Sequence, residues 1–104
     1  MIVHVAMYQF KHDINKMKNM AKAKELFEAL PSQMEWIQSI QVGLDINRGK
    51  NAYDLCANVS FKTRDELLWF NSEPPYIALE NFLSEVTTSM KMVDFVYEED
   101  SCSL

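Results

Sequence analysis

The chain has 104 residues, of which 48% are hydrophobic, and it carries a formal net charge of −5. This length fits one domain with a packed core, and the acidic balance argues against a protein that binds nucleic acid through phosphate contacts or adheres to anionic membranes. No apolar run approaches the ~18 residues of a membrane-spanning helix, and the N-terminus lacks the basic region and cleavage site of a signal peptide.

Apolar segments alternate with helical patterns along the chain and predict the order βαββαβ. The first strand is expected from Ile2 to Phe10, and a helical stretch follows it. Two strands come next, from Trp36 to Ile46 and from Ala52 to Phe61, with Gly49 in the polar run between them as a hairpin turn. A second helical region leads to a last strand from Met92 to Tyr97. The chain therefore reads as two similar halves.

The first helical stretch is predicted to bury one face. The apolar residues assigned to that face are Ile14, Met17, Ala21, Phe27 and Leu30, with Met20, Ala23 and Leu26 beside them. Asp13 or Asn15 is expected to cap its start, and Pro31 to end it. Its early lysines hint at an anion site, although a solvated face is the simpler interpretation.

The second helical region opens with a capping box, in which Thr63 and Glu66 satisfy each other's backbone N–H groups. Pro74 and Pro75 then break the helix and suit the first turn of a second, longer one. The residues assigned to the apolar stripe of that longer helix are Leu79, Phe82, Leu83, Val86 and Met90.

The first strand is apolar on both sides, which predicts that the chain associates with a second copy of itself. Ile2, His4, Ala6, Tyr8 and Phe10 share one side, and Val3, Val5 and Met7 share the other. Helices on one face of a four-stranded sheet leave the second face bare. We therefore expect a homodimer that buries this face and the last strand over more than ~1,000 Å². The alternative is a monomer with a semi-apolar open sheet.

The order and spacing of several motifs resemble the stress-responsive dimeric α/β-barrel (Dabb) family. The resemblance covers about residues 2 to 98. The motifs that carry it are His4 to Lys11, Gly43 after Ile40-Gln41-Val42, Tyr53 to Phe61 with Thr63 to Leu67, and Val93-Asp94-Phe95. It implies an α+β, ferredoxin-like fold with an antiparallel four-stranded sheet and helices on one face. It also implies a dimeric barrel made of two such sheets.

The family resemblance also implies a cavity between sheet and helices. A plant member folds a polyketide there without metal or cofactor, using a tyrosine and a histidine. The tyrosine position is Phe70 here, and the histidine signature reads Glu73-Pro74-Pro75-Tyr76. The cyclase residues are therefore not retained, and the cyclase chemistry does not carry over.

His4 is the remaining candidate for chemistry. A histidine suits a base at neutral pH because its ordinary pKa is about 6.5. A structural histidine with a backbone or tyrosine hydrogen bond is the competing interpretation, with Tyr8 as a possible partner. The ligand-pocket candidates are His4, Tyr8, Phe70 and Tyr76, and no metal site or cofactor is expected. His12 and Asp94 are expected to be solvated residues of a loop and of a strand edge or interface.

These observations lead to three functional hypotheses. The first is a cytoplasmic, homodimeric domain over residues 1–98, with a flexible tail over 99–104, that binds a small apolar or aromatic molecule and has no clear catalytic set. The second is a cofactor-independent enzyme, cyclase-like or quinol-monooxygenase-like, that uses His4. The third is a purely structural interaction module. Two cysteines, Cys56 and Cys102, without a disulfide framework support the cytoplasmic location.

Overall fold

The structure is a computed structural model and describes residues 1–97. The elements are β1 (Ile2–Phe10), α1 (Lys16–Glu28), α2 (Leu30–Gln33), β2 (Ser39–Leu44), β3 (Leu55–Phe61), α3 (Arg64–Ser72), α4 (Pro74–Val86) and β4 (Thr87–Val96). The predicted tail over 99–104 lies outside the described residues. No helix within residues 1–97 has the length and apolar content needed to cross a membrane.

The four strands form one antiparallel sheet in the order β2-β3-β1-β4. The central strand β1 pairs with β3 on one side, where His4 lies opposite Val59, and with β4 on the other, where His4 lies opposite Asp94. This arrangement confirms the predicted βαββαβ order and the α+β, ferredoxin-like fold.

The two faces of the sheet differ in cover. The helices pack on the face that carries Ile2, His4, Ala6, Tyr8 and Phe10, all of which are buried. We call this the helical face. The opposite surface, the open face, carries Val3, Val5 and Met7 of β1, Gln41 and Gly43 of β2, Cys56 and Asn58 of β3, and Val93 and Phe95 of β4. The predicted division of β1 into two sides is thus confirmed.

The prediction for the buried face of the first helix was partly wrong. Ile14 is 99% exposed and Met17 is 65% exposed, and Ala21 is exposed as well. The residues that α1 buries are Met20, Ala23 and Phe27. At 3.6 residues per turn, positions 17 and 21 lie roughly 60° to 100° around the helix from position 20. Ile14 precedes the helix and therefore does not share its face.

The strand boundaries also differ from the predictions. β2 and β3 are shorter, because the polar connection between them extends from Asp45 to Asp54. β4 is longer and begins directly after α4, since Phe10 of β1 pairs with Thr87. Met90 therefore lies in β4, and its assignment to the helix stripe was wrong.

The helix starts show which capping predictions hold. Thr63 accepts a hydrogen bond from the Glu66 N–H at 3.2 Å, and the Glu66 carboxylate accepts from the Thr63 N–H at 3.1 Å, which confirms the capping box. Pro74 begins α4, as predicted. Asn15 occupies the cap position of α1 but its side chain makes no capping bond, whereas the Asp13 carboxylate accepts from the Asn15 N–H at 2.8 Å. Pro31 does not end α1 itself; it lies in the first turn of the short helix α2.

Candidate functional site

His4 lies in the middle of β1 and points under the helices, where it is 1% exposed. Its Nδ1 lies 2.5 Å from the Asp94 carboxylate, which comes from the register-matched position of β4. The Asp94 side chain is 34% exposed, so this carboxylate links the interior to the edge of the sheet. When Asp94 accepts from Nδ1–H, a neutral His4 ring presents its Nε2 lone pair as an acceptor.

The other ring nitrogen of His4 is an exception among buried polar atoms. Nε2 is buried and has no hydrogen-bond partner among residues 1–97. Buried polar atoms are nearly always paired, because an unpaired one keeps its full desolvation cost. The surroundings are aromatic: the ring centroid lies 5.9 Å from that of Phe70 and 6.4 Å from that of Tyr76. His4 therefore holds a fixed, unpaired ring nitrogen in an apolar setting.

Phe70 and Tyr76 close the interior above His4. Phe70 comes from α3 and Tyr76 from the first turns of α4, and their ring centroids lie 4.0 Å apart. Phe70 also packs against Phe61 of β3 at 5.2 Å. Both rings are almost fully buried. The break at Pro74 sets this geometry, because it lets α4 turn back over the sheet beside α3.

Tyr8 follows His4 on the same side of β1 and is 3% exposed. Burial and, to a smaller extent, the Glu80 carboxylate raise the pKa of its hydroxyl to about 12, and the neighbouring Tyr76 hydroxyl partly opposes the shift. Burial also raises the pKa of Tyr76, with the Tyr8 hydroxyl and the Glu80 carboxylate adding to the shift. Both phenols therefore stay protonated at neutral pH and act as hydrogen-bond donors or acceptors, not as bases.

A cavity of about 480 Å³ opens beside Tyr8, between α4 and the start of β4. The residues that line it are Tyr8, Glu80, Asn81, Leu83, Ser84, Thr87, Thr88, Ser89 and Met90. Its size falls within the range of small-molecule sites. The wall mixes hydroxyl groups with apolar side chains. The hydroxyl groups can therefore orient a ligand through hydrogen bonds, and the apolar side chains can contact its apolar part.

The structure brings all four predicted pocket residues together, but in two roles. Tyr8 reaches the wall of the cavity, whereas His4, Phe70 and Tyr76 pack on one another behind it. Within residues 1–97, no group of His, Cys, Asp and Glu side chains is arranged to hold a metal ion.

Sequence reasoning missed Asp94 as the partner of His4. It assigned this residue to a solvated edge, and it offered Tyr8 or a backbone group to His4 instead. The signal was present: Asp94 and Val96 share one side of β4, and an antiparallel β1–β4 pair places that side beside the His4 side of β1. Glu80, whose carboxylate acts on both tyrosines, was missed because it reads as a surface residue of α4.

Fold and site together define a ferredoxin-like α+β domain with a buried histidine bonded to a partly exposed aspartate and with an uncovered sheet face. The model of the stress responsive A/B barrel domain (Dabb) family matches residues 2–97. The chain belongs to this family. No curated protein gives a significant match.

Solved structures share this fold at low sequence identity. A dimeric protein of unknown function and ferredoxin-like fold from Bacteroides fragilis is 26% identical, with a TM-score of 0.84 over 92% of this chain and 95% of that one. A dimeric ferredoxin-like protein of unknown function from Thermobifida fusca is 14% identical, with a TM-score of 0.82 over 92% and 90%. A hydroxynitrile lyase from Passiflora edulis is 12% identical, with a TM-score of 0.82 over 94% of each chain.

Proposed function

We propose that this chain acts as a homodimer whose open sheet faces pack against each other, and that each protomer binds a small apolar or aromatic molecule beside Tyr8. The observation that carries the dimer is the uncovered apolar surface of β1 and β4. Met7 is 39% exposed, Val93 54% and Phe95 42%, and they lie side by side with Val3 and Val5. A contiguous apolar patch of this kind is typical of an interface.

The part of the open face formed by β2 and β3 favours specific packing of two sheets over unspecific hydrophobic association. Gln41, Asn58 and Ser60 give β2 and β3 a polar surface next to the apolar strip of β1 and β4. A two-fold axis brings the same patch of both copies together. Apolar strips then bury each other, and the polar groups line the inside of the assembly. The description of relatives from Bacteroides fragilis and Thermobifida fusca as dimeric supports this proposal.

The ligand part of the proposal depends on the cavity beside Tyr8. Leu83 and Met90 supply apolar contact, and the Tyr8 hydroxyl supplies a protonated polar group at neutral pH. An aromatic molecule with one hydroxyl or carbonyl group matches this combination. A cytoplasmic location is part of the same proposal, since Cys56 lies within a strand as a free thiol.

Two measurements test this function. Light scattering at micromolar concentration should return about 24 kDa, twice the chain mass of 12.1 kDa, and a well-folded species of 12 kDa would contradict the dimer. A thermal-shift screen with aromatic acids, quinols and polyketide-like lactones should find a stabilising ligand. Tyr8→Phe should weaken that stabilisation, and Tyr97→Phe, which alters an exposed tyrosine outside the cavity, is the control. A screen without any stabilising ligand would favour the purely structural interaction module.

The unpaired Nε2 of His4 favours a second candidate, a cofactor-independent enzyme. Asp94 on Nδ1 fixes the ring and makes Nε2 the basic nitrogen, which is the arrangement that general-base catalysis requires. The hydroxynitrile lyase from Passiflora edulis shows that an enzyme uses a similar fold. In this candidate the substrate displaces Phe70 or Tyr76 to reach Nε2.

A turnover assay on any ligand found in the screen separates the two candidates. His4→Ala and Asp94→Asn should both lower the rate, with the larger loss for His4→Ala, if Nε2 removes a proton from the substrate. His12→Ala changes an exposed histidine and is the control. Equal rates in wild type and His4→Ala would remove the catalytic role of His4 while leaving the binding function intact.

A further inference from the structure

A second cavity of about 480 Å³ lies at the same end of the sheet but toward the opposite edge, where the β2–β3 connection meets the start of α1. Its lining residues are Gln9, His12, Lys16, Met17, Met20, Leu44, Asp45, Arg48, Gly49, Lys50, Ala52 and Asp54. We call it the basic cavity. It gathers three cationic side chains in a chain whose net charge is −5. The Tyr8 cavity has a different set of lining residues throughout.

The two acidic side chains of the basic cavity are already engaged by the protein. Asp45 accepts hydrogen bonds from the backbone N–H groups of Asn47 at 3.1 Å and Arg48 at 2.7 Å. Asp54 accepts from the Phe10 N–H at 2.7 Å, and its second oxygen lies 3.3 Å from Lys16 Nζ. These carboxylates hold the backbone in place. With three cations against these two carboxylates, the side chains of the cavity carry a net positive charge.

Arg48 and Lys50 are the cations left over. Among residues 1–97, neither forms an ion pair, whereas Lys16 has Asp54 as its partner. The start of α1 contributes the positive end of a helix dipole, which the Asp13 carboxylate partly offsets by accepting from the Asn15 N–H at 2.8 Å. A small anion beside Arg48 and Lys50 would therefore meet a net positive potential.

The loop that carries Arg48 is held in one conformation by its own hydrogen bonds. Arg48 has a φ of 59°, a left-handed backbone conformation that non-glycine residues rarely adopt. The Asp45 carboxylate holds it there, while Gly49 O accepts from the Ala52 N–H at 3.0 Å and Asp45 N–H donates to Asp54 O at 2.9 Å. A loop that is ordered before binding loses less entropy when a ligand arrives.

We propose that the basic cavity binds a small organic anion, with its carboxylate or phosphate group at Arg48, Lys50 and Lys16. The apolar body of the ligand lies against Met17, Met20 and Leu44. Guanidinium and ammonium groups recognise both kinds of anion. Leu44 belongs to the helical side of β2, because it pairs with the buried Leu55. Packing of the open faces therefore leaves this cavity accessible, and the site does not depend on the proposed function.

The test is a titration of the full-length, 15N-labelled protein followed by NMR, at constant ionic strength and neutral pH. The ligands are inorganic phosphate, phenyl phosphate and benzoate, with neutral benzamide and sodium chloride as controls. Saturable shifts are expected at the amides of Asp45 to Ala52 and at the start of α1. Phenyl phosphate and benzoate should bind more tightly than inorganic phosphate, because the ring contacts the methionines.

A matched pair of double variants decides whether the cations of the cavity cause the binding. Arg48→Gln with Lys50→Gln should raise the Kd about tenfold or more, as expected for the loss of charged hydrogen-bond donors. Lys62→Gln with Arg64→Gln removes the same charge from exposed residues at the other end of β3 and should leave the Kd unchanged. The amide spectra of both variants show whether each is folded.

Three results would overturn the proposal. The first is shifts that sodium chloride or benzamide reproduces, and the second is an equal Kd in the two double variants. The third is inorganic phosphate binding as tightly as phenyl phosphate with benzoate not binding, because the apolar wall would then have no part in recognition. Tighter phenyl phosphate than benzoate identifies a phosphate ester as the preferred ligand, and the reverse identifies a carboxylic acid.

Discussion

Val93 and Val96 allow the same substitution to be made on opposite sides of one strand. Both valines lie in β4 and are similarly exposed, at 54% and 46%. Val93 pairs with Val5 and belongs to the open face, whereas Val96 pairs with Ile2 and belongs to the helical face. Sequence reasoning placed both in the dimer contact. The structure predicts that Val93→Asp dissociates the dimer and that Val96→Asp does so far less.

The size of the Val93→Asp effect follows from burial and charge. Fully burying a valine side chain contributes about 1.5 to 3 kcal/mol. Burying the half of the Val93 surface that is exposed in the protomer therefore contributes about 1 kcal/mol per protomer, or about 2 kcal/mol to a symmetric dimer. Each unpaired aspartate in the contact adds a desolvation cost of several kcal/mol. A total near 5 kcal/mol or more raises the dimer Kd by about 10³-fold to 10⁴-fold.

Sedimentation equilibrium over a range of concentrations measures this difference. Wild type and Val96→Asp should sediment near twice the chain mass of 12.1 kDa, and Val93→Asp should approach the chain mass itself. Circular dichroism shows whether the variants keep their helices and strands. If Val93→Asp kept a Kd within tenfold of wild type, or if Val96→Asp dissociated equally, the open face would not be the interface.

Three further predictions concern stability. Thr63→Ala should lower the free energy of unfolding, measured in urea, by about 1 kcal/mol, whereas Thr63→Ser should lower it less because serine keeps the capping oxygen. An alanine variant as stable as wild type would contradict the capping role. Because the pKa of Tyr8 is raised from 10.0 to about 12, the unfolded chain loses this proton first. The free energy of unfolding should therefore fall between about pH 10 and pH 12, and Tyr8→Phe should make that fall shallower; identical profiles would refute this. Phe70→Ala removes a buried ring whose centroid lies 4.0 Å from that of Tyr76, and it should lower the free energy of unfolding by about 3 to 5 kcal/mol. Leu68→Ala changes an exposed residue of the same helix and is the control. Equal losses in the two variants would show that Phe70 is not central to the core.

The element order and the division of β1 into two faces could be predicted because both depend on local patterns. Alternation along a strand fixes which side chains share a face, and the sequence from Thr63 to Glu66 contains a complete capping box. Element ends were harder to predict. β4 extends back to Thr87 because it pairs with β1, a contact between distant parts of the chain. Local apolar spacing had instead assigned Met90 to the preceding helix.

The candidate site shows the same division between local and distant information. His4, Phe70 and Tyr76 were predicted as pocket residues through the family resemblance, and Tyr8 through the alternation of β1; the rings of His4, Phe70 and Tyr76 do lie together. The bond from His4 to Asp94 joins residues 90 positions apart and depends on the β1–β4 register. The basic cavity likewise depends on how the β2–β3 connection meets α1. The sequence showed only the lysines of α1, which are equally typical of a solvated helix face.

The central claim is that the open face of one copy packs on the open face of another. Isotope-filtered NOE spectra of a dimer mixed from labelled and unlabelled chains test it most directly. We predict NOEs between protomers at the methyl groups of Val3, Val5 and Val93. Contacts between protomers that came only from α1 or α4, or methyl groups of the open face with NOEs inside their own protomer alone, would contradict the account.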